Sequence, residues 1–388
     1  MNFFGVLRAE AKLIFSDIAI VLTIIGGVIL YSFLYPQPYA KESVSSLPVT
    51  VIDLDKSDIS RDIVFKLNAT PQVDVVREDL SQKDAFEALE KTLVKAVIII
   101  PVHFKRDLIL MQSPTIALGA DSSYFLIYGA VLEGAMRAIL TESAQIKVVN
   151  LLKNQVPLSG AGLAYTPYSI NAINLFNKEN SYTQYVVPAV FILILQQTLL
   201  IGMGILGGGV NERRKKGECS HYKNTAILYV FLSRLIIFGT LFFIHILFYF
   251  GFIYENFDIT HIAGSLELLS FSLLFLIAVI AFGLFLGSLL SSREIATPLV
   301  LFSSLPLVFS VGFIWPLEAI PPFIHFIAYF VPSTPAIEGF LHLNQMGATL
   351  DTLTTQTLIL LLQTLLYTCL AYIIERRKKS EKFYDIIT

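Results

Sequence analysis

Six long apolar stretches constrain this chain more than any other feature. They run Ile18–Tyr35, Tyr185–Gly209, Tyr229–Ile253, Leu266–Leu290, Thr297–Trp315 and Leu353–Ile374. A hydrocarbon core about 30 Å thick is crossed by roughly 20 apolar residues as a helix. The backbone inside must satisfy its own hydrogen bonds, so each stretch reads as a transmembrane helix. The first could pass for a signal peptide, because Arg8 and Lys12 precede it. It is longer than a usual secretory core, and no small-x-small cleavage pattern precedes Pro36 and Pro38, so it reads as an uncleaved anchor.

Charge is scarce and unevenly placed. Lys, Arg, Asp and Glu make up 15% of the chain, against about 25% in soluble domains. Of these 58 residues, 30 lie between Pro36 and Gln184. This pattern excludes a disordered chain and a mainly soluble enzyme, and describes a membrane protein with one soluble insert. The net charge of −2 offers no basic face for nucleic acid. The two cysteines, Cys219 and Cys369, fall outside the insert, which therefore folds without disulfides.

Orientation follows from the short connections. Arg8, Lys12, Arg213, Arg214, Lys215, Lys216, Lys223, Arg293, Arg376, Arg377, Lys378, Lys379 and Lys382 all lie on one side of a six-span arrangement. The opposite connections, Tyr254–Ser265 and Pro316–Thr352, contain no Lys or Arg. Positive residues mark the cytoplasmic side. Both termini are thus expected in the cytoplasm, with the insert outside.

Within the insert, Leu47–Asp53, Val73–Val76 and Lys95–Ile100 read as strands, with helices over Ser57–Leu67 and Gln82–Lys91. Alternating strands and helices predict a small parallel α/β sheet. Pro114–Gly119 is a candidate fourth strand, and Ser122–Asn154 a long helix or helical pair. The acids of Asp53-Leu54-Asp55-Lys56-Ser57-Asp58 sit at a strand end where ligands often bind. A helix cap from Asp55 or Ser57 accounts for them more simply. Asn68-Ala69-Thr70 matches a short glycosylation sequon.

The sequence contains no phosphate loop, no His-Glu-x-x-His pair and no Gly-x-Ser-x-Gly elbow. A catalytic role is not expected, and any ATP used must be hydrolysed by another subunit. Polar residues inside spans are the remaining candidates. Arg234 lies near a span end and can either snorkel to headgroups or act at a site. His245 lies deeper, as a packing residue or a site. Gln196, Gln197, Ser303, Ser304 and Ser310 can line a translocation path or hydrogen-bond between helices.

The stretch Phe302–Pro335 is unusual for a connection between spans. It contains Ser310-Val311-Gly312-Phe313-Ile314-Trp315-Pro316, then Ile320-Pro321, then Val331-Pro332-Ser333-Thr334-Pro335. This closely resembles the fifth-span and re-entrant segment of type-2 ABC exporter permeases, which makes Gly312, Pro316, Pro321 and Pro332 the re-entrant markers. Ile52–Ser57 and Ile99–Phe104 resemble two phrases of the extracytoplasmic domain in one branch of that family. Glu212–Glu218 resembles its coupling segment, and Arg234 stands where the family often has Lys. The chain departs from the family at Glu218-Cys219 and Asn224, where Thr with a hydrophobic residue and a Pro are usual.

The resemblance implies a polytopic α-helical membrane protein with six transmembrane helices and an α/β extracytoplasmic domain between helices 1 and 2. Residues 1–17 would form a cytoplasmic amphipathic helix, 18–35 the first span and 36–184 the periplasmic domain. Residues 185–374 would supply five spans with a re-entrant segment at 316–352, and 375–388 a basic tail. Glu212, Gly217, Glu218 and Arg234 would couple to cytoplasmic ATP-binding-cassette subunits that use ATP and Mg, with no cofactor on the permease itself. A second permease subunit and membrane lipids are the other implied partners, in a bacterial inner membrane. The large insert adds a periplasmic adaptor protein to that set. The substrate expected from uncharged path residues is amphipathic or hydrophobic. A receptor whose insert senses a ligand is the alternative reading.

Overall fold

A computed structural model describes residues 2–37, 45–78, 81–110, 112, 114–120, 125–153, 182–218, 225–315 and 317–384. In chain order these form α1 (Phe3–Phe15), α2 (Ile18–Leu34), β1 (Leu47–Asp53), α3 (Asp58–Asn68) and β2 (Val73–Glu78). Then come α4 (Gln82–Glu90), β3 (Ala96–Ile100), α5 (Phe104–Ile109), β4 (Ala117–Ala120) and α6 (Phe125–Lys153). The rest is helical: α7 (Tyr182–Lys215), α8 (Ile227–Asn256), α9 (Ser265–Leu289), α10 (Ala296–Ser310), α11 (Pro322–Ala328), α12 (Ser333–Met346) and α13 (Thr354–Tyr384). Two compact units result, Ser43–Ile173 and Met1–Glu42 with Asn174–Thr388.

The smaller unit carries a four-stranded sheet in the order β2-β1-β3-β4. β1 runs parallel to β2 and β3, whereas β4 pairs antiparallel with β3. The expected parallel arrangement holds for β1, β2 and β3, and the candidate fourth strand joins it antiparallel. The connection through the six-residue α5 brings the chain back antiparallel. Strand alternation divides the core: Val51, Ile98 and Ile100 pack with Ile63 and Leu67 of α3 and Ala135 and Ala138 of α6. Ile52 and Val97 face Ala85 of α4.

The acidic run after β1 is occupied by local structure. Asp53 accepts from the backbone N–H groups of Asp55 and Lys56 (3.0 and 2.9 Å) and from the Ser60 hydroxyl (2.7 Å). Ser57 caps α3 through the Ser60 N–H. Asp55 accepts from the Lys105 N–H, and Asp58 pairs with the Lys105 ammonium at 2.6 Å. That contact holds the Asp58 carboxyl below its ordinary value.

In the helical unit, four helices are long and apolar enough to cross a membrane: α7, α8, α9 and α13. The bent pair α1–α2, with 78° between its halves, makes a fifth. α7 is the central post, with 94% of its most apolar stretch buried, against 22% for α13. Its glycines permit this. A Cβ on Gly207 would lie 2.5 Å from the Gly287 backbone of α9, and one on Gly208 would strike the Ser292 carbonyl. Small residues at such crossings let helix backbones touch.

The expected span Thr297–Trp315 is shorter than its apolar run. α10 ends at Ser310 after 15 residues, with Pro306 inside it. The chain then turns through Gly312 at φ +95°. A short 3-10 turn, Leu317–Ala319, leads to α11 and α12, which are preceded by Pro321 and Pro332. Proline lacks the N–H that would continue a preceding helix, so the segment breaks where the prolines stand. Pro316, Cys219 and Asn224 lie outside the described residues.

Candidate functional site

The polar machinery of the helical unit concentrates at the end where its basic residues gather. Helix α1 is amphipathic: Val6, Glu10 and Ile14 are buried on one face, and Phe4, Arg8, Lys12 and Phe15 are exposed on the other. Glu10 occupies the centre of the buried face, fully shielded, where an unpaired carboxylate would be prohibitively costly. Its Oε2 accepts from Arg234 Nε of α8 at 2.9 Å. Arg234 does not snorkel outward. Its side chain is 10% exposed, turned inward to α1. Only Arg234 of this pair stands out from sequence, because Glu10 lies in a segment that reads as a water-facing amphipathic helix.

The bend between α1 and α2 is built at Asp17, which caps α2 through the N–H groups of Ala19 and Ile20 and pairs with Arg293 at 2.9 Å. At the foot of α7, Asn211 is buried and donates to the carbonyls of Leu290 and Gly287 (2.7 and 3.2 Å). Its own carbonyl accepts from Lys378 of α13 at 3.0 Å. Lys378 also reaches the Ser288 carbonyl. Arg214 and Glu375 close the cluster at 2.8 Å. These bonds occupy the free carbonyls at the C-terminus of α9, which a helix end must satisfy from elsewhere. They tie α7, α9 and α13 into one frame.

α7 ends in a Schellman turn. Gly217 stands at φ +81°, with its N–H on the Arg214 carbonyl and the Glu218 N–H on the Arg213 carbonyl. Of the coupling residues named by resemblance, Glu212 is half-buried on the last turn, and Gly217 and Glu218 are exposed beyond it. Arg234 engages Glu10 of α1.

The path candidates do not form one set. Gln196 is buried and bridges Ser333, donating to its hydroxyl (2.9 Å) and accepting from its N–H (2.7 Å). It thereby fastens α7 to the first turn of α12. Ser304 and Ser310 are buried and Ser303 is exposed, and all three hydroxyls donate within α10, to Val300, Pro306 and Val300 carbonyls respectively. Gln197 is half-buried on α7. His245 packs edge-on against Phe242. At the end opposite the basic cluster, Gln184 clips the loop after α8 through the Asp258 carbonyl and the Thr260 N–H.

Four or five apolar spans around a buried post, with a proline-broken hairpin and a cross-braced basic end, define a polytopic helical membrane protein. Residues 18–373 match the family model described as ABC-2 family transporter protein, and the chain belongs to that family. It is accordingly a membrane subunit of the ATP-binding-cassette permease type. No curated protein matches the chain.

Proposed function

We propose that this chain is the permease subunit of an ATP-driven exporter, with hydrolysis carried by a separate cytoplasmic ATP-binding-cassette subunit that uses ATP and Mg. The observation behind this reading is the braced basic end. A permease has to pass force from a docked ATPase to its spans, and Asn211, Arg214, Glu375 and Lys378 lock three helices together at the foot of α7. The exposed Glu218 and half-buried Glu212, set among Lys215 and Lys216, would face the ATPase. Six spans, cytoplasmic termini, a second permease subunit and an inner-membrane location complete the proposal. A periplasmic adaptor would meet the α/β unit. Gln197 and Ser303 remain the path candidates with exposed surface.

Purified permease alone should hydrolyse ATP no faster than buffer. Co-reconstituted with its ATPase partner, it should show ATP-dependent movement of an amphipathic compound across the vesicle membrane. Glu212→Arg should reduce partner recovery from membranes at matched permease levels. Undiminished recovery and transport would place docking elsewhere.

A further inference from the structure

At the end of the helical unit opposite the basic cluster, a half-buried carboxylate lacks a counter-charge. Glu338 of α12 is half-buried, and among the described residues no Lys or Arg lies within ion-pair distance of it. The Tyr329 hydroxyl is 2.8 Å from both carboxylate oxygens, and the Gln356 amide reaches one of them at 3.4 Å. A carboxylate offers about four acceptor positions. A single hydroxyl hydrogen and one long amide contact leave at least two of them open.

A second surplus acceptor is tied to the backbone of Tyr329. Gln363 of α13 donates its amide to the Tyr329 carbonyl at 2.6 Å, and its own carbonyl oxygen is buried without a partner. Residues 254–265 and 317–352 contain Glu255, Asp258, Glu318, Glu338 and Asp351 but no Lys or Arg. The local field therefore favours a cation. Flanking Tyr329 in the chain, Phe326 and Phe330 are exposed and packed edge-to-face at 5.4 Å, giving apolar surface on the same hairpin.

We infer that Glu338, Tyr329 and Gln356 form a binding site for the protonated amine head of an amphipathic molecule, with its alkyl part on Phe326 and Phe330. An ammonium supplies the positive charge and three N–H donors that this acceptor-rich site lacks. The inference deepens the permease reading, on which it rests, by naming a substrate class.

Binding is measured on the purified full chain, without ATPase or transport, so a negative result removes this site and leaves the reconstitution test above to judge the permease reading. Thermal unfolding is followed against dodecylamine, dodecanol, dodecyltrimethylammonium and potassium chloride. Dodecylamine should stabilise the wild type best, and Glu338→Gln should bind it at least tenfold more weakly. Equal affinity in Glu338→Gln, or equal stabilisation by dodecanol or potassium, overturns the proposal. A second measurement needs no variant. An apolar carbodiimide joins the Glu338 carboxylate to the amine nitrogen of bound dodecylamine, and the water lost in forming the amide converts the carbodiimide to its urea. Mass spectrometry should find the dodecylamide at Glu338 in preference to the exposed Glu318. Labelling that favours Glu318 or does not discriminate overturns the proposal.

Discussion

Glu10 and Arg234 share one bond in a place where neither has water to fall back on. Removing one partner of such a buried pair costs about 3–5 kcal/mol. Glu10→Gln and Arg234→Met should each lower the unfolding midpoint sharply. The double variant should be less destabilised than the sum, and a double-mutant cycle in detergent measures that difference. Simple additivity would show that the contact contributes nothing. In the α/β unit, Lys66 of α3 bonds to Glu142 of α6, which is buried, and also to Asp62. The Glu142 bond raises the Lys66 ammonium above its ordinary 10.5. A raised lysine stabilises at all lower pH and loses that stabilisation as pH climbs through the folded value. This contribution should therefore stay flat through neutrality and fall only in strong alkali, and Glu142→Gln should cost about 1.5–3 kcal/mol at pH 7. Stability scans against pH, with and without Glu142→Gln, check both statements. The Asp58–Lys105 pair has the opposite sign. Its contribution is present above the ordinary carboxylate range and disappears as pH falls.

Among the elements, the crossing of α7 and α9 depends on an absence of side chains. Gly207→Val would drive a branched side chain into the Gly287 backbone, which has no flexible end to yield. The helices would have to part, and the variant should show a lower unfolding midpoint and reduced folded yield. Gly209→Ala, one turn face away in open space, should be tolerated and is the control. The element-level reading from sequence succeeded where periodicity was local. The three strands, the capped α3 and the long α6 follow from alternation and from Ser57. It failed where partners were distant. Nothing in Asn211 reveals that it closes the end of α9, some 76 residues on, and nothing in Ser333 reveals its bridge to Gln196, 137 residues back. The apolar run Thr297–Trp315 overstated a helix because hydropathy does not register the turn at Gly312.

For the whole molecule, the orientation read from the basic residues has a direct check. In a Cys-free background, a cysteine at the exposed Lys91 of the α/β unit should react with an impermeant maleimide added outside intact cells. A cysteine at Lys215 should react only after permeabilisation. The reverse pattern would invert the topology. The candidate site was legible only in part for a related reason. Surplus charge on one side of a membrane shows in a sequence, whereas Glu338 looks like one more acid until its neighbours are known.

The Glu10–Arg234 pair also has a consequence in time. Its partners stand 224 residues apart, and a ribosome adding about 5–20 residues per second needs roughly 11–45 s to pass from one to the other. Through that interval the newborn first helix carries a carboxylate that lacks its Arg234 bond, and the wet headgroup zone is where it can wait. α1 can settle into its final seat only after α8 has been made, so the beginning of the chain is among the last parts to finish assembling.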